Sequence, residues 1–423
     1  MIHRIAFVVT LVSGLVSAQG AIHIVDVNEG PNADYVQIAD AVAGANDGDT
    51  LLVRAGGYEP FAIDGKSLTI TREKGFDVRV AGTITVRNLS PTQRVVVHGL
   101  RNGTAIEHGL LVENCTGVVW FEDCEFAGAS GQPAYDGVHL DTATQVVLVR
   151  GRAEGGIGSG SLADSAGAWG GDGIESINSN SYIWSMGLQG HKGGDGDDIG
   201  GWGGNGLFVR SNAAHTAFVA GSRMIGADGG RADGDFDIFC GCEQCGFAGP
   251  GGDGLRIWGN PEMTLIVRDN AYTPGQGGVS TFIKTECLDG ADGVEINPDN
   301  AIFVEYPGGV PRFSATSPTR EGALIDVKVA SDADDLVTLM ISTQTLPIWF
   351  DPLLGVVGVL PPIFLAPLGV VGIEGTLSAS LPAPTLPAGL ESAILFAQPI
   401  HLGLDASVEL STPSALILLD DAF

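Results

Sequence analysis

The chain has 423 residues, with 50 acidic against 21 basic side chains and a formal net charge of −29 at pH 7. Such a negative surface repels nucleic acid and anionic membranes, so neither is expected as a partner. Hydrophobic residues make up 44% of the chain, which is enough for a core and excludes an acidic disordered tail. The 63 glycines far exceed the usual share of about 7%. Composition therefore predicts a folded, acidic protein that uses glycine in an unusual way.

Residues 1–18 have the pattern of a secretory signal peptide. A basic start at Arg4 precedes an apolar stretch over 5–16, and the small residues that end at Ala18 fit a cleavage site. The apolar stretch is too short for a transmembrane helix. We therefore expect a secreted protein, either extracellular or at the cell surface.

Residues 19–60 are predicted to form a cap. A short strand over 22–25 is followed by apolar residues at helical spacing over 35–42, a Gly-Asp turn, a strand over 50–53 and Gly57-Tyr58. This order resembles the N-terminal cap of right-handed parallel β-helix proteins of the pectate lyase, polygalacturonase and pectinesterase type. The resemblance implies a helix that covers the open end of stacked coils, where apolar residues would otherwise face water.

Residues 61–310 contain an internal repeat that predicts stacked β coils. Each repeat begins with glycine and an aliphatic residue, and a second short strand follows at a nearly constant distance. The repeats begin at Gly109-Leu110, Gly137-Val138, Gly173-Ile174, Gly206-Leu207, Gly254-Leu255 and Gly293-Val294. The distance back to the next glycine varies, so the insertions are confined to one side of the coils. The fold class expected is all-β: a right-handed parallel β-helix with Gly-rich inserts.

The inserts over 155–173, 190–206 and 226–254 are extremely rich in glycine. They are too long for ordinary hairpin loops. Two interpretations remain open: the inserts pack on one another as extended segments, or they are mobile.

Acidic residues precede several of the repeat glycines. The column consists of Asp136, Asp172, Asp253 and Asp292, with Asn205 in the same position. Paired carboxylates are what polysaccharide hydrolysis requires, so these are the candidate catalytic residues. The alternative, which we prefer, is Asx-Gly turn chemistry, in which each side chain bonds its own local backbone. Basic residues share no motif that would support a lyase. We therefore expect a non-catalytic protein, with a β-helix polysaccharide lyase or hydrolase as the alternative.

Two acidic segments offer oxygen ligands for Ca²⁺, the only cofactor that the sequence suggests. Gly193-Gly194-Asp195-Gly196 begins a match to the Gly-Gly-x-Gly-x-Asp calcium repeat. The candidate ligands are Asp195, Asp197 and Asp198, and in a second cluster Asp233, Asp235 and Asp237. The repeat occurs once, whereas calcium-binding repeats occur in tandem, so a solvated acidic loop and no cofactor is the alternative.

The six cysteines are Cys115, Cys124, Cys240, Cys242, Cys245 and Cys287. In an exported protein they favour disulfides or buried thiols over a metal site, and their pairing is left open. The sequence around Cys115 and Cys124 resembles the Asn-Cys coils of the pectate lyase-like superfamily. That resemblance implies buried, unpaired thiols as the alternative to a disulfide.

Residues 311–423 are predicted to form a small β-sandwich-like module. Residues 323–329 alternate between apolar and polar, as a half-buried strand does. Prolines divide the apolar stretch over 352–373 into pieces no longer than a strand, so no membrane span is expected. The segment resembles a C-terminal module of secreted proteins from planctomycete-like bacteria, which implies surface association. The partner expected for the whole chain is an extracellular polysaccharide or matrix, bound by the β-helix or by its Gly-Asp loops.

Overall fold

The structure is a computed structural model that describes residues 20–103, 106–160, 166–232, 236–237, 242–243, 246–280, 288–353 and 355–423. The predicted signal peptide lies outside the described residues. Within them the chain is nearly all β, as predicted, with one α-helix at Ile38–Gly44 and a short 3₁₀ helix at Asp351–Leu353.

Three parallel ladders of strands account for residues 22–306, and the chain visits the ladders in turn. The first ladder contains Phe61–Asp64, Ile84–Arg87, Leu110–Glu113, Val138–Asp141, Ile174–Ile177, Leu207–Ser211, Leu255–Gly259 and Ile296–Asn297. The second contains Ile22–Val25, Thr50–Val53, Leu68–Arg72, Arg94–His98, Val118–Ala127, Val146–Glu154, Ser181–Gln189, Thr216–Ala220, Thr264–Arg268 and Ile302–Tyr306. The third contains Gly56–Tyr58, Val78–Val80, Leu100–Asn102, Arg223–Ile225 and Ala271–Thr273, together with the C-terminal halves of the three longest second-ladder strands.

One strand from each ladder makes a rung, and successive rungs pair in register. Leu110 pairs with Val138, and Val112 with Leu140, and all four side chains are fully buried. Alternate side chains of a strand face opposite sides, so this register stacks aliphatic side chains of successive rungs on one another in an apolar interior. The last first-ladder strand differs from the repeat prediction, because Leu255 pairs with Ile296, two residues beyond Val294.

In six successive rungs, the bend between the second and third ladders is made by one residue in the left-handed backbone region. The column consists of Gly99, Asp123, Arg150, Ser185, Gly221 and Asp269, whose φ values lie between 47° and 77°. A single residue in the left-handed backbone conformation turns the chain sharply, so no additional loop residues are needed. The bend therefore keeps the same place in these six rungs.

The α-helix closes the first rungs. Ile38, Ala41 and Val42 are its buried residues, and they pack in the same apolar core as Leu51 and Ile63. Burial of one such aliphatic side chain stabilises the fold by about 1.5–3 kcal/mol. The helix therefore covers apolar residues of the first rungs that would otherwise face solvent.

Residues 312–419 form mainly antiparallel sheets around a second apolar core. A three-stranded sheet contains Arg312–Ala315, Leu324–Ala330 and Thr376–Pro382. A six-stranded sheet contains Thr319–Arg320, Leu336–Ser342, Phe364–Val370, Ser392–Leu402, Val408–Leu410 and Ser414–Leu419. A two-stranded sheet pairs Ile348–Phe350 with Gly355–Val357. A separate antiparallel pair, Phe236–Asp237 with Cys242–Glu243, lies in the Gly-rich insert over 226–254.

The C-terminal sheets cover the outer face of the second ladder. Trp120 is fully buried there, and its ring lies 5.0 Å from that of Phe396. Glu122 is also fully buried; it accepts hydrogen bonds from the Trp120 indole and the Ala415 N–H and pairs with Arg150. A buried carboxylate needs such partners, because leaving it unpaired costs several kcal/mol. The second-ladder face is thus occupied, whereas the outer face of the first ladder carries partly exposed side chains.

Candidate functional site

The outer face of the first ladder carries a column of polar and aromatic residues. The in-register positions are Leu111, His139, Glu175, Phe208 and Arg256. Their neighbours two residues later along each strand are Glu113, Asp141, Ile177, Arg210 and Trp258. Since side chains two residues apart share a face of a strand, these two columns lie side by side on one surface.

Four side chains converge at one end of this surface, and we call them the histidine–carboxylate cluster: His108, Asp136, His139 and Glu175. The Oδ2 atom of Asp136 lies 3.3 Å from Nδ1 of His108 and 3.1 Å from Nδ1 of His139. The same His139 nitrogen lies 3.1 Å from Oε2 of Glu175. The two imidazole rings are 4.3 Å apart. The four side chains are between 11% and 18% exposed, so solvent reaches the cluster.

The second oxygen of each carboxylate in the cluster is held elsewhere. Oδ1 of Asp136 accepts the backbone N–H of Asp172 at 2.8 Å. Oε1 of Glu175 forms an ion pair with Nε of Arg210 at 3.1 Å. Each carboxylate is therefore oriented so that one oxygen faces the histidines.

Charge interactions in the cluster shift the pKa values of its members. Burial tends to raise the pKa of Asp136, but the two histidines outweigh burial and hold that pKa at about 2. Burial tends to lower the pKa of His139, but Asp136 and Glu175 raise it to about 10. Burial and the nearby charge of Asp136 raise the pKa of Asp172 well above its usual value. The cluster therefore provides a strong local field that favours positive charge.

The pre-glycine residues form a continuous ladder of side-chain hydrogen bonds. The Asp136 carboxylate accepts the N–H of Asp172, and the Asp172 carboxylate accepts the N–H of Asn205. Asn205 then accepts the N–H of Asp253, and Asp253 accepts the N–H of Val294. Each side chain thus bonds the backbone of the next rung. The glycines that follow these four ladder residues are not in the left-handed region. The structure therefore differs from the local Asx-Gly turn interpretation, because the donor to each side chain is the backbone N–H of the next rung.

Asp292 lies outside this ladder. The pairing of Leu255 with Ile296 puts Val294, and not Asp292, in register with Asp253, so Val294 donates the last N–H of the ladder. Asp292 is exposed and accepts the N–H of Gly277 at 2.8 Å. His108 occupies the opposite end of the ladder, where its Nδ1 lies 3.2 Å from the donating N–H of Asp136. Neither His108 nor His139 was singled out by sequence. The signal was present, since His108 precedes Gly109 as Asp136 precedes Gly137.

The Gly-rich inserts pack against one another, which decides between the two interpretations of these segments. Each insert leaves by an outgoing arm and comes back by a return arm, for example 155–160 and 166–173. Gly167, Gly170 and Gly173 donate to carbonyls of the next return arm, at Ile199, Trp202 and Asn205. Donors three residues apart have the period of a polyproline II helix, which has no internal hydrogen bonds. The arms therefore satisfy their backbones through their neighbours.

Glycine is required in the arms because the backbones touch. A Cβ at Gly167 would lie 2.0 Å from the Gly194 carbonyl oxygen, and one at Gly204 would lie 1.9 Å from that of Gly171. In the return arm of the first insert, Ala166, Trp169 and Asp172 are three residues apart, which is the spacing at which a polyproline II helix repeats one face. Ala168, between them, is buried.

That face presents exposed indole rings, and we call Trp169, Trp202 and Trp258 the tryptophan face. Trp169 is 65% exposed and Trp202 is 40% exposed, and their rings stack 5.2 Å apart. The Arg256 guanidinium lies over Trp202, 5.8 Å from the ring centre. Trp258 borders a groove of 690 Å³ that is also lined by polar side chains, among them Asn178, Arg210 and Asn212. Aromatic and hydrogen-bonding groups thus alternate along one open surface.

The calcium candidates are placed as follows. Asp195 accepts the N–H of Arg231 and pairs with Lys192 at 3.0 Å. Among the described residues, Asp195, Asp197 and Asp198 do not belong to any converging group of metal-ligating side chains. Asp233, Asp235 and the side chain of Asp237 lie outside the described residues.

Cys115 and Cys124 are buried free thiols in the interior of the rungs, as the superfamily resemblance implies. Burial raises the pKa of Cys124 to about 12. Cys240, Cys245 and Cys287, with the side chain of Cys242, lie outside the described residues.

Among the described residues, no helix has the length and hydrophobicity needed to cross a membrane. No family model matches the chain, and no curated protein matches it.

Proposed function

We propose that the chain is a secreted, right-handed parallel β-helix protein that binds extracellular glycans on its tryptophan face and does not cleave them. Two observations and one general rule support the β-helix. The ladders are parallel, the chain visits them in turn, and parallel crossovers are right-handed in nearly all proteins. Export is supported by the signal-peptide pattern of residues 1–18.

The observation that carries the binding proposal is the exposed stack of Trp169 and Trp202. Large apolar rings left in water mark interaction surfaces. A pyranose ring has an apolar C–H face that packs on an indole, and its hydroxyls need donors and acceptors at the edge. Arg256 and the amides of Asn178 and Asn212 supply such groups on the same surface. The rigid packing of the arms fixes the rings before binding, which reduces the entropy lost on association.

The absence of cleavage is proposed because the ladder carboxylates are already engaged. Asp172 accepts the N–H and the side-chain amide of Asn205, and Asp253 accepts both the Val294 N–H and the Asn297 amide. Hydrolysis needs an acid and a base free to reach the glycosidic bond. These carboxylates instead hold neighbouring rungs together.

The test is retention of the purified protein on a panel of insoluble and soluble polysaccharides. We expect wild type to be retained by at least one, and Trp169→Ala and Trp202→Ala to lose that retention. Phe76→Ala is the matched control, because Phe76 is 42% exposed, similar to Trp202, but lies on a different surface. Retention that survives both tryptophan substitutions would contradict the proposal, as would absence of retention on any glycan. Release of reducing ends or unsaturated uronides would overturn its non-catalytic part.

A further inference from the structure

The histidine–carboxylate cluster has more electron-pair donors than protons to share among them. Nδ1 of His139 lies 3.1 Å from both Asp136 Oδ2 and Glu175 Oε2, yet one ring nitrogen carries a single proton. Nδ1 of His108 accepts the N–H of Asp136, as every residue of the ladder accepts from the next rung. Without a proton, that nitrogen then lies 3.3 Å from a carboxylate oxygen, which is another acceptor. A cation between His108 and Asp136 would resolve this conflict.

The separations within the cluster fit a small metal ion. Zinc bonds to nitrogen and oxygen of about 2.0–2.1 Å in a tetrahedron place neighbouring ligand atoms about 3.3 Å apart. Oδ2 of Asp136 lies 3.3 Å from Nδ1 of His108 and 3.1 Å from Nδ1 of His139, which are separations of this size. The ligand atoms of His108, Asp136 and His139 all lie within 4.8 Å of one another.

The groups behind the cluster also have the arrangement of a metal site. Ligating carboxylates in proteins are held by outer hydrogen bonds that fix the free oxygen toward the metal. Here the Asp172 N–H holds Oδ1 of Asp136, and Arg210 holds Oε1 of Glu175. Asp136 therefore directs its remaining oxygen toward both histidines, and Glu175 directs its own toward His139.

A second converging group, His98, Glu122 and Asp123, does not have this character. Its central carboxylate, Glu122, is already satisfied by Trp120, Arg150, Ser414 and the Ala415 N–H. Of the three converging groups in the described part of the chain, the one within the histidine–carboxylate cluster combines two imidazoles with a carboxylate, and the third, Glu321, Asp420 and Asp421, has no imidazole.

We propose that His108, Asp136 and His139 bind one divalent transition-metal ion of the zinc type, with Glu175 beside His139. Two imidazole nitrogens favour zinc over calcium, which prefers an all-oxygen set. The three ligands come from two successive rungs, so the ion would link these rungs by coordination bonds on the open face. The site does not depend on glycan binding.

The experiment uses the full chain after removal of metal with a chelator. Zinc chloride is titrated by calorimetry, and the zinc content is measured by mass spectrometry after desalting. We expect wild type to bind one ion more than His139→Ala and His108→Ala, and to gain thermal stability with zinc that the variants do not gain. His191→Ala is the matched control, because His191 lies outside the cluster and should leave zinc binding unchanged.

Cobalt(II) separates this site from any site at the cysteines. The wild-type minus His139→Ala difference spectrum should show the visible bands of cobalt with nitrogen and oxygen ligands, without thiolate charge transfer. His139→Gln, which preserves side-chain volume, repeats the comparison if the alanine variant does not fold. Equal zinc content in wild type and the folded His139 variant would overturn the proposal, and so would binding of calcium alone.

Discussion

The packing of the Gly-rich arms can be tested by adding one methyl group. In Gly201→Ala the new Cβ would lie 1.9 Å from the Ala168 carbonyl oxygen, whereas Cβ contacts in proteins essentially never fall under 3.0 Å. The neighbouring arms must therefore separate by about 1 Å, and overpacking of this kind costs about 1–3 kcal/mol. The Gly201 N–H bond to Gly194 and the Gly230 N–H bond to Gly201, at 2.8 and 2.7 Å, would be stretched or lost.

The assay is hydrogen–deuterium exchange followed by mass spectrometry. A local cost of about 1–3 kcal/mol corresponds to about 5- to 150-fold faster exchange of the arm amides, because 1.4 kcal/mol is a factor of ten. We expect this acceleration in 190–232, with no change in the second-ladder strands. Gly57→Ala is the matched control, because nothing lies within 4 Å of its added Cβ. If Gly201→Ala exchanges like wild type and the control, the arms do not pack as described.

Two further predictions concern buried titratable groups. Burial lowers the pKa of His401 to about 4, although Asp335 lies nearby. As the pH falls, His401 is therefore protonated in the unfolded chain at a higher pH than in the folded protein. The contribution of neutral His401 to the free energy of unfolding is fully present above pH 6.5, and about 3 kcal/mol of it is lost as the pH falls to 4. Melting temperatures at pH 4.5 and 7 should differ less in His401→Gln than in wild type, and an unchanged difference would refute this assignment. Burial also raises the pKa of Cys115 and Cys124, so a maleimide at pH 8 should label neither thiol until the protein is denatured. Peptide mass spectrometry measures the labelling, and a label on either cysteine in the native protein would contradict their buried positions.

Much of the fold follows from local pattern. The glycine–aliphatic repeats locate the first-ladder strands from Leu110 to Leu255, because every rung must present the same residue types to its neighbours. Alternation predicts the strand Leu324–Ala330, whose burial alternates along its length. The helical spacing near Tyr35 predicts the α-helix at Ile38–Gly44. These features depend on residues close together in the chain, so sequence alone determines them.

The site depends on register, which only the stacked structure decides. Sequence places Asp136, Asp172 and Asp253 in one column but assigns their hydrogen bonds to their own turns. Stacking supplies the next rung's N–H instead. His108 and His139 are brought to one carboxylate by the same stacking, although 31 positions separate them in the chain. A composition rich in glycine allows either mobile loops or packed arms. The choice between them depends on whether neighbouring backbones supply hydrogen-bond partners, and that is a property of the tertiary structure alone.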